Sequence, residues 1–198
     1  MSTRTLSFSQ LLVPSFVAWV AVTGIAAAIS QFGSLVLSWT IGEVIESSLG
    51  TTALIPLIGA VMGIGMGGVG AASQMLFLRG RVDGRRWIGG AIVGAVLMMM
   101  LAMAVIAPAS ETLPEWTSGL LAGSALGLGV SVGQWVALRG QHPGIGRWAI
   151  ACFLSYALSI FLLFSAGGEG RELIALAGSG LAFGLISGLG AFWAGLNA

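Results

Sequence analysis

The sequence is short of charge. Its 198 residues include eight basic and seven acidic side chains, 8% in all, against 57% hydrophobic. A soluble domain carries about 25% charged residues, and so sparse a set cannot coat a sphere of this size in water. That excludes a cytosolic enzyme, a nucleic-acid binder and a disordered tail, and leaves a polytopic membrane protein. Lysine is absent, and every basic residue is arginine. The single cysteine, Cys152, allows no intramolecular disulfide and no paired-cysteine metal site. The single histidine, His142, lies outside every long apolar run. An axial ligand for a haem or chlorophyll is therefore missing from the membrane, as is the histidine of an intramembrane serine protease. The metalloprotease motif HExxH and the lysine of a phosphate-binding loop are missing too. No acid falls inside a span, which disfavours an ion-coupled pump. The chain is expected to have no catalytic, metal or cofactor-binding residues and not to be an enzyme.

Apolar length is abundant. A transmembrane helix needs about 20 mainly apolar residues, and six runs qualify: Pro14–Leu37, Thr52–Leu78, Trp87–Ala107, Trp116–Leu138, Trp148–Ala166 and Leu173–Trp193. Ala26–Ala28 loosely imitate a signal-peptide cleavage site, but the apolar run continues past them. Arg4 and the joints holding Arg79, Arg81, Arg85, Arg86, Arg139 and Arg147 fall on one side. The joints with Glu43 and Glu46, Glu111 and Glu115, and Glu169 and Glu172 fall on the other. The positive-inside rule then puts both termini in the cytoplasm. The expected place is the cell's inner (plasma) membrane, as a multi-pass protein.

A repeat of about sixty residues runs through the chain. Gln74-Met75-Leu76-Phe77-Leu78-Arg79-Gly80 returns sixty residues later as Gln134-Trp135-Val136-Ala137-Leu138-Arg139-Gly140. Arg86-Trp87 returns as Arg147-Trp148. Each even span carries a glycine zipper: Gly59, Gly63 and Gly67; Gly119, Gly123 and Gly127; Gly180, Gly184 and Gly188. Trp19, Trp87 and Trp148 are each followed seven positions later by a small residue, Ala26, Gly94 and Ser155. These are three copies of one helical hairpin, at about 14–79, 86–139 and 147–198, the last truncated, in a single membrane domain 1–198. Hairpins of two spans share one orientation, so the repeats are parallel and their axis is normal to the membrane. The expected fold is an all-α integral membrane protein: six transmembrane helices in a pseudo-threefold bundle, even helices inside and odd helices outside.

The repeat, Gln134-Trp135-Val136-Ala137-Leu138-Arg139 above all, resembles a group of uncharacterised bacterial polytopic membrane proteins. Their signature reads QW-x-x-LR, a short basic loop, then a tryptophan-led helix. The second copy here fits fully, the first has Met75 in place of tryptophan, and the third lacks the signature. The resemblance implies the architecture and brings no activity with it.

The remaining candidates are few. Small residues let helix backbones approach in lipid, where water cannot drive association, so the glycines read as packing sites rather than a substrate path. Gln74 and Gln134, five residues before an arginine, are candidate polar ligands, or more plainly interhelical hydrogen-bond donors. Arg79, Arg86, Arg139 and Arg147 can meet anionic lipid headgroups or simply fix topology. Trp19, Trp87, Trp148 and Trp135 on the inner side, with Trp39 and Trp116 on the outer, read as aromatic belts. The acidic pairs could ring an outer mouth, although solvated loop acids are the plainer reading. His142 reads as a loop residue and Cys152 as a small apolar one. Function is expected to be non-catalytic: an accessory or scaffolding subunit of a larger membrane complex. The alternatives are a small substrate-binding transport component and an anionic-lipid-binding protein. The expected partners are membrane lipids and other membrane subunits, without nucleic acid or cofactor.

Overall fold

The computed structural model describes the backbone of residues 8–49, 51–109, 112–166 and 170–196, and within these the side chains apart from 8–14, 43, 45–49 and 51–53. Every regular element in those stretches is helical. Six helices are long and apolar enough to cross a membrane: α1 (Ser15–Gly42), α2 (Leu54–Leu78), α3 (Gly84–Ala109), α4 (Glu115–Leu138), α5 (Ile145–Ser165) and α6 (Glu172–Trp193). At 1.5 Å per residue each spans roughly 30–40 Å, enough for the hydrocarbon layer.

The six spans fall where the sequence puts them, with shifted ends. The helix containing α1 runs from Phe8 to Leu49. Glu43 and Glu46 therefore lie on helical backbone rather than in a loop; their side chains, like those of Glu111 and Glu169, lie outside the described residues. Helix α3 starts at Gly84, before Trp87, because Asp83 Oδ1 accepts the backbone N–H groups of Arg85 (3.0 Å) and Arg86 (3.2 Å). That carboxylate satisfies donors the first turn cannot satisfy itself.

The repeated Leu-Arg-Gly is a turn. Arg79 (φ −52°, ψ 129°) and Arg139 (φ −55°, ψ 135°) end their helices in extended backbone. Gly80 and Gly140 follow at φ +78° and +82°. The N–H of Arg81 returns to the Leu78 carbonyl, and that of Gln141 to Leu138, each at 3.0 Å. These are type II turns, whose third residue needs positive φ and hence glycine.

Each helix packs on its neighbours in sequence, and α6 returns to α1, closing a ring. The glycine ladders form alternate seams. A Cβ on Gly59 would sit 2.5 Å from the Met99 carbonyl oxygen, and one on Gly63 2.7 Å from the backbone nitrogen of Val96, so this ladder faces α3. Gly119, Gly123 and Gly127 meet Phe164, Ile160 and Phe153 of α5. Gly180, Gly184 and Gly188 meet Gly24, Val20 and Phe16 of α1. The other glycines of the even helices serve further faces: Gly65 meets Ser34, Gly70 meets Tyr156, and Gly129 and Gly133 cross Gly94 and Gly90 of α3. In the middle of α2 the residues Gly63–Gly68 form a π-helical stretch, which also touches α4 across the bundle.

Burial departs from the expected even-inside, odd-outside rule. In the most apolar 18 residues of α2, α4, α5 and α6, 44% of the residues are buried, against 33% in α1 and 22% in α3. Helix α5 escapes the rule because Trp148, Cys152, Ser155, Tyr156 and Ser159 give it a full inward face.

Candidate functional site

The end of the bundle that carries Arg79, Arg86, Arg139 and Arg147 holds a layer of tryptophan and glutamine. Trp19, Trp87 and Trp148 are fully buried. The Trp148 ring lies 5.1 Å from that of Trp87 and 6.2 Å from that of Trp19, which in turn lies 5.1 Å from Phe77. This corrects their reading as belt residues. Adjacent residues on a helix point about 100° apart, so Arg86 and Arg147 face outward while Trp87 and Trp148 face in. Trp39, Trp116, Trp135 and Trp193 do remain on the outer surface.

A buried indole N–H wants an acceptor. Trp148 Nε1 donates to Gln134 Oε1 at 2.8 Å, across the α4–α5 seam. Trp19 Nε1 donates to Ser187 Oγ at 3.1 Å, across the α6–α1 seam. Among the described residues, no hydrogen-bond partner meets Trp87 Nε1, either amide atom of Gln74 or the amide nitrogen of Gln134. Gln74 and Gln134 are themselves fully buried. Cys152 Sγ lies 3.7 Å from Gln134 Oε1 and is buried, a small residue beneath the amide.

A second polar group lies deeper along the bundle. Gln31 Nε2 donates to Ser159 Oγ at 2.7 Å, the Ser159 and Ser179 hydroxyls share a bond at 2.9 Å, and Ser179 donates back to Gln31 Oε1. The closed ring ties α1, α5 and α6 together and consumes the polar atoms that lipid cannot satisfy. Sequence reasoning missed it. A glutamine in the middle of an apolar run was the available signal, because such an amide must find partners. Nearby, the Tyr156 hydroxyl donates to the Met66 carbonyl at 3.2 Å, within the π-helical stretch, and its ring stands edge-on to Phe183 at 4.8 Å.

The arginines do not join the glutamines. Arg79, Arg86, Arg139 and Arg147 are exposed at the bundle end, while Gln74 and Gln134 are enclosed. Two arginines bind the end of the chain instead. Arg81 Nη1 donates to the Leu196 carbonyl at 2.6 Å, and Arg147 Nη1 to that of Trp193 at 3.4 Å, with its guanidinium 6.0 Å from the Trp193 ring. Cations at a helix C-terminus also oppose its dipole. Arg86 pairs with Asp83 at 3.5 Å. His142 Nδ1 accepts the Gly144 N–H at 3.2 Å within its loop. Glu115 and Glu172 are exposed at the opposite end.

Two apolar grooves run along the outer face where glycine backbones cross. One, of about 640 Å³, lies between α1 and α6 over the Gly24–Gly180 contact, with Phe16 and Leu173 at its ends. The other, of about 590 Å³, lies between α3 and α4 over the Gly90–Gly133 and Gly94–Gly129 contacts. Among the described residues no group of three or more His, Cys, Asp or Glu side chains is placed to hold a metal ion. No known family matches the chain, and no curated protein or solved structure matches it.

Proposed function

We propose that this is a non-catalytic membrane protein acting as an accessory or scaffolding subunit, with a partner helix seated along the α1–α6 seam. The observation that carries this reading is the shape of that groove. It is lined on α1 from Phe16 to Ile29 and on α6 from Leu173 to Leu185, two helices entering from opposite ends. These runs extend roughly 18–20 Å each and together cross the bilayer midplane. The lining is apolar and bears no charge, and among its larger side chains it presents the small residues Ala21, Gly24, Ala28, Ala177 and Gly180. Small residues admitting close approach are what a spanning helix packs against in lipid.

The same reading takes the bundle as three parallel hairpins about an axis normal to the membrane, with both termini cytoplasmic. The three glycine ladders support it, since each faces the odd helix that follows, the last facing α1. So does the charge distribution, seven of the eight arginines at one end and six of the seven acids at the other, with Asp83 and Arg171 the exceptions.

Purification in mild detergent tests the proposal. The protein should migrate with partner chains in fixed ratio. Ala21→Leu and Ala177→Leu, both at exposed positions, should release them without lowering the melting temperature. Migration of the wild type as a lone 20.1 kDa chain would sink it.

A second reading, a substrate-binding transport component, draws on the unpartnered atoms of Gln74, Trp87 and Gln134. Unsatisfied buried polar groups are costly and suit a small neutral, hydrogen-bonding solute. Quenching of the tryptophan emission by such a solute, abolished in Gln74→Leu, would favour it over the scaffold.

A further inference from the structure

We propose that the α3–α4 groove is a binding site for one acidic glycerophospholipid of the leaflet on the arginine side. The headgroup phosphate would rest among Arg85, Arg86 and Arg139, and one acyl chain would lie along the glycine floor.

Three observations converge on that occupant. The first is length. The groove is lined on α3 from Gly89 to Met98 and on α4 from Leu128 to Ala137. Set in register by the Gly90–Gly133 and Gly94–Gly129 contacts, the two antiparallel runs cover twelve steps of 1.5 Å, about 18 Å, a little over the hydrocarbon depth of a single leaflet. A spanning helix would overrun it, whereas an acyl chain from one leaflet fits.

The second is charge at one mouth only. Arg85 and Arg86 lie one turn before Gly89, and Arg139 lies two residues after Ala137; all three are exposed. The sole acid nearby, Asp83, uses one oxygen on the first-turn N–H groups of α3 and the other on Arg86. Three guanidinium groups against one carboxylate leave the mouth cationic. Guanidinium forks match phosphate oxygens, and cationic side chains at this depth attract anionic headgroups. Neither groove has a charged residue in its lining, so the difference lies in the flanks: the residue beside Leu173, at one end of the α1–α6 groove, is the acid Glu172.

The third is the floor. The backbones of Gly90 and Gly94 cross those of Gly133 and Gly129 so closely that a Cβ on either side would overlap a carbonyl. The side chains that could have filled the furrow are therefore missing, and Val93, Leu97, Val132 and Val136 form its walls. Gly89, at the mouth, faces open space within 4 Å of where its Cβ would be. A larger residue there fills the seat without disturbing any helix contact.

Native mass spectrometry from mild detergent tests the site, with phosphatidylglycerol and phosphatidylcholine of identical chains as probes. Wild type should retain one phosphatidylglycerol in preference to phosphatidylcholine. Arg86→Gln with Arg139→Gln should weaken phosphatidylglycerol retention about 25-fold, at roughly five-fold per surface cation. Gly89→Leu should lower retention of the same lipid with an unchanged melting temperature. Ala177→Leu, in the other groove, should leave it untouched, so loss of a protein partner and loss of the lipid are separable. Equal retention of the two lipids by wild type would overturn the proposal, as would full retention in Gly89→Leu.

Discussion

Trp148 donates its indole N–H to Gln134 Oε1 at 2.8 Å, with both side chains fully buried. The matching pair about sixty residues earlier, Trp87 and Gln74, is equally buried, and neither side chain has a hydrogen-bond partner among the described residues. The two glutamines therefore differ in what their removal costs. Gln134→Leu should orphan the Trp148 N–H and destabilise the protein by about 1–3 kcal/mol. Gln74→Leu removes two polar atoms that have no partner and should be neutral or stabilising. Thermal unfolding of both variants in one detergent checks the contrast. Equal losses would mean that Gln74 is bonded in the folded protein.

The glycine ladders predict a second contrast. Gly63→Leu would drive a side chain into the backbone of Val96, and Gly123→Leu into Ile160, where a Cβ alone falls 2.7 Å and 2.8 Å from the nearest atom. Overpacking costs about 1–3 kcal/mol even where neighbours can yield, and backbone cannot. Both variants should lose monodispersity or fail to accumulate. Gly33 and Gly178 are helical with open space around them. Replacing either with alanine should stabilise by about 0.5–1 kcal/mol by reducing unfolded-chain entropy. Size-exclusion profiles and melting temperatures separate the two classes.

The type II turns make a third case. Gly80 and Gly140 have open space where a Cβ would go, so only their positive φ resists substitution. Alanine at either position should cost about 1–2 kcal/mol, the usual left-handed penalty, and asparagine less. A Gly80→Ala variant as stable as wild type would mean that the turn changes type when the glycine is lost.

How much of this was legible in the sequence depends on the kind of signal. The six spans were, because lipid demands long apolar helices whatever the packing. The zippers were legible as packing surfaces, but not which helix each would meet; that depends on ring closure, which brings α6 to α1. The tryptophans were misread because Arg86-Trp87 and Arg147-Trp148 look like interfacial anchors. Proximity in sequence hid a turn of 100° in direction. The glutamine supplied the missing clue at one place, where the buried Gln134 amide accepts the Trp148 indole N–H. The Gln31–Ser159–Ser179 ring follows no repeat, so periodicity could not reveal it. The start of α3 was placed at Trp87 instead of Gly84 because apolar content was followed instead of the Asp83 cap.

That ring is itself testable. Each member bonds to the other two, so any single removal leaves two polar atoms in hydrocarbon. Interhelical hydrogen bonds in membranes average about 0.6 kcal/mol, and the orphaned partners add to that. Ser179→Ala and Ser159→Ala should each destabilise by about 1 kcal/mol. The double variant should cost clearly less than their sum, because the shared bond is lost only once. Strict additivity would show that the serines act independently.

Orientation offers the last prediction. Cys152, the sole cysteine in the sequence, is buried within α5, so it should resist a membrane-impermeant maleimide and leave a clean background. Gln141 is exposed in the α4–α5 turn, and Thr112 is exposed in the turn before α4. With seven of the eight arginines at the end that carries the α2–α3 and α4–α5 turns, the positive-inside rule puts Gln141 in the cytoplasm and Thr112 outside. In intact cells Thr112→Cys should label and Gln141→Cys should not, and in inverted vesicles the pattern should exchange. Labelling of Gln141→Cys from outside would reverse the bundle. The same result would move the arginine-flanked mouth of the α3–α4 groove to the outer leaflet, so this experiment also decides which leaflet supplies the lipid.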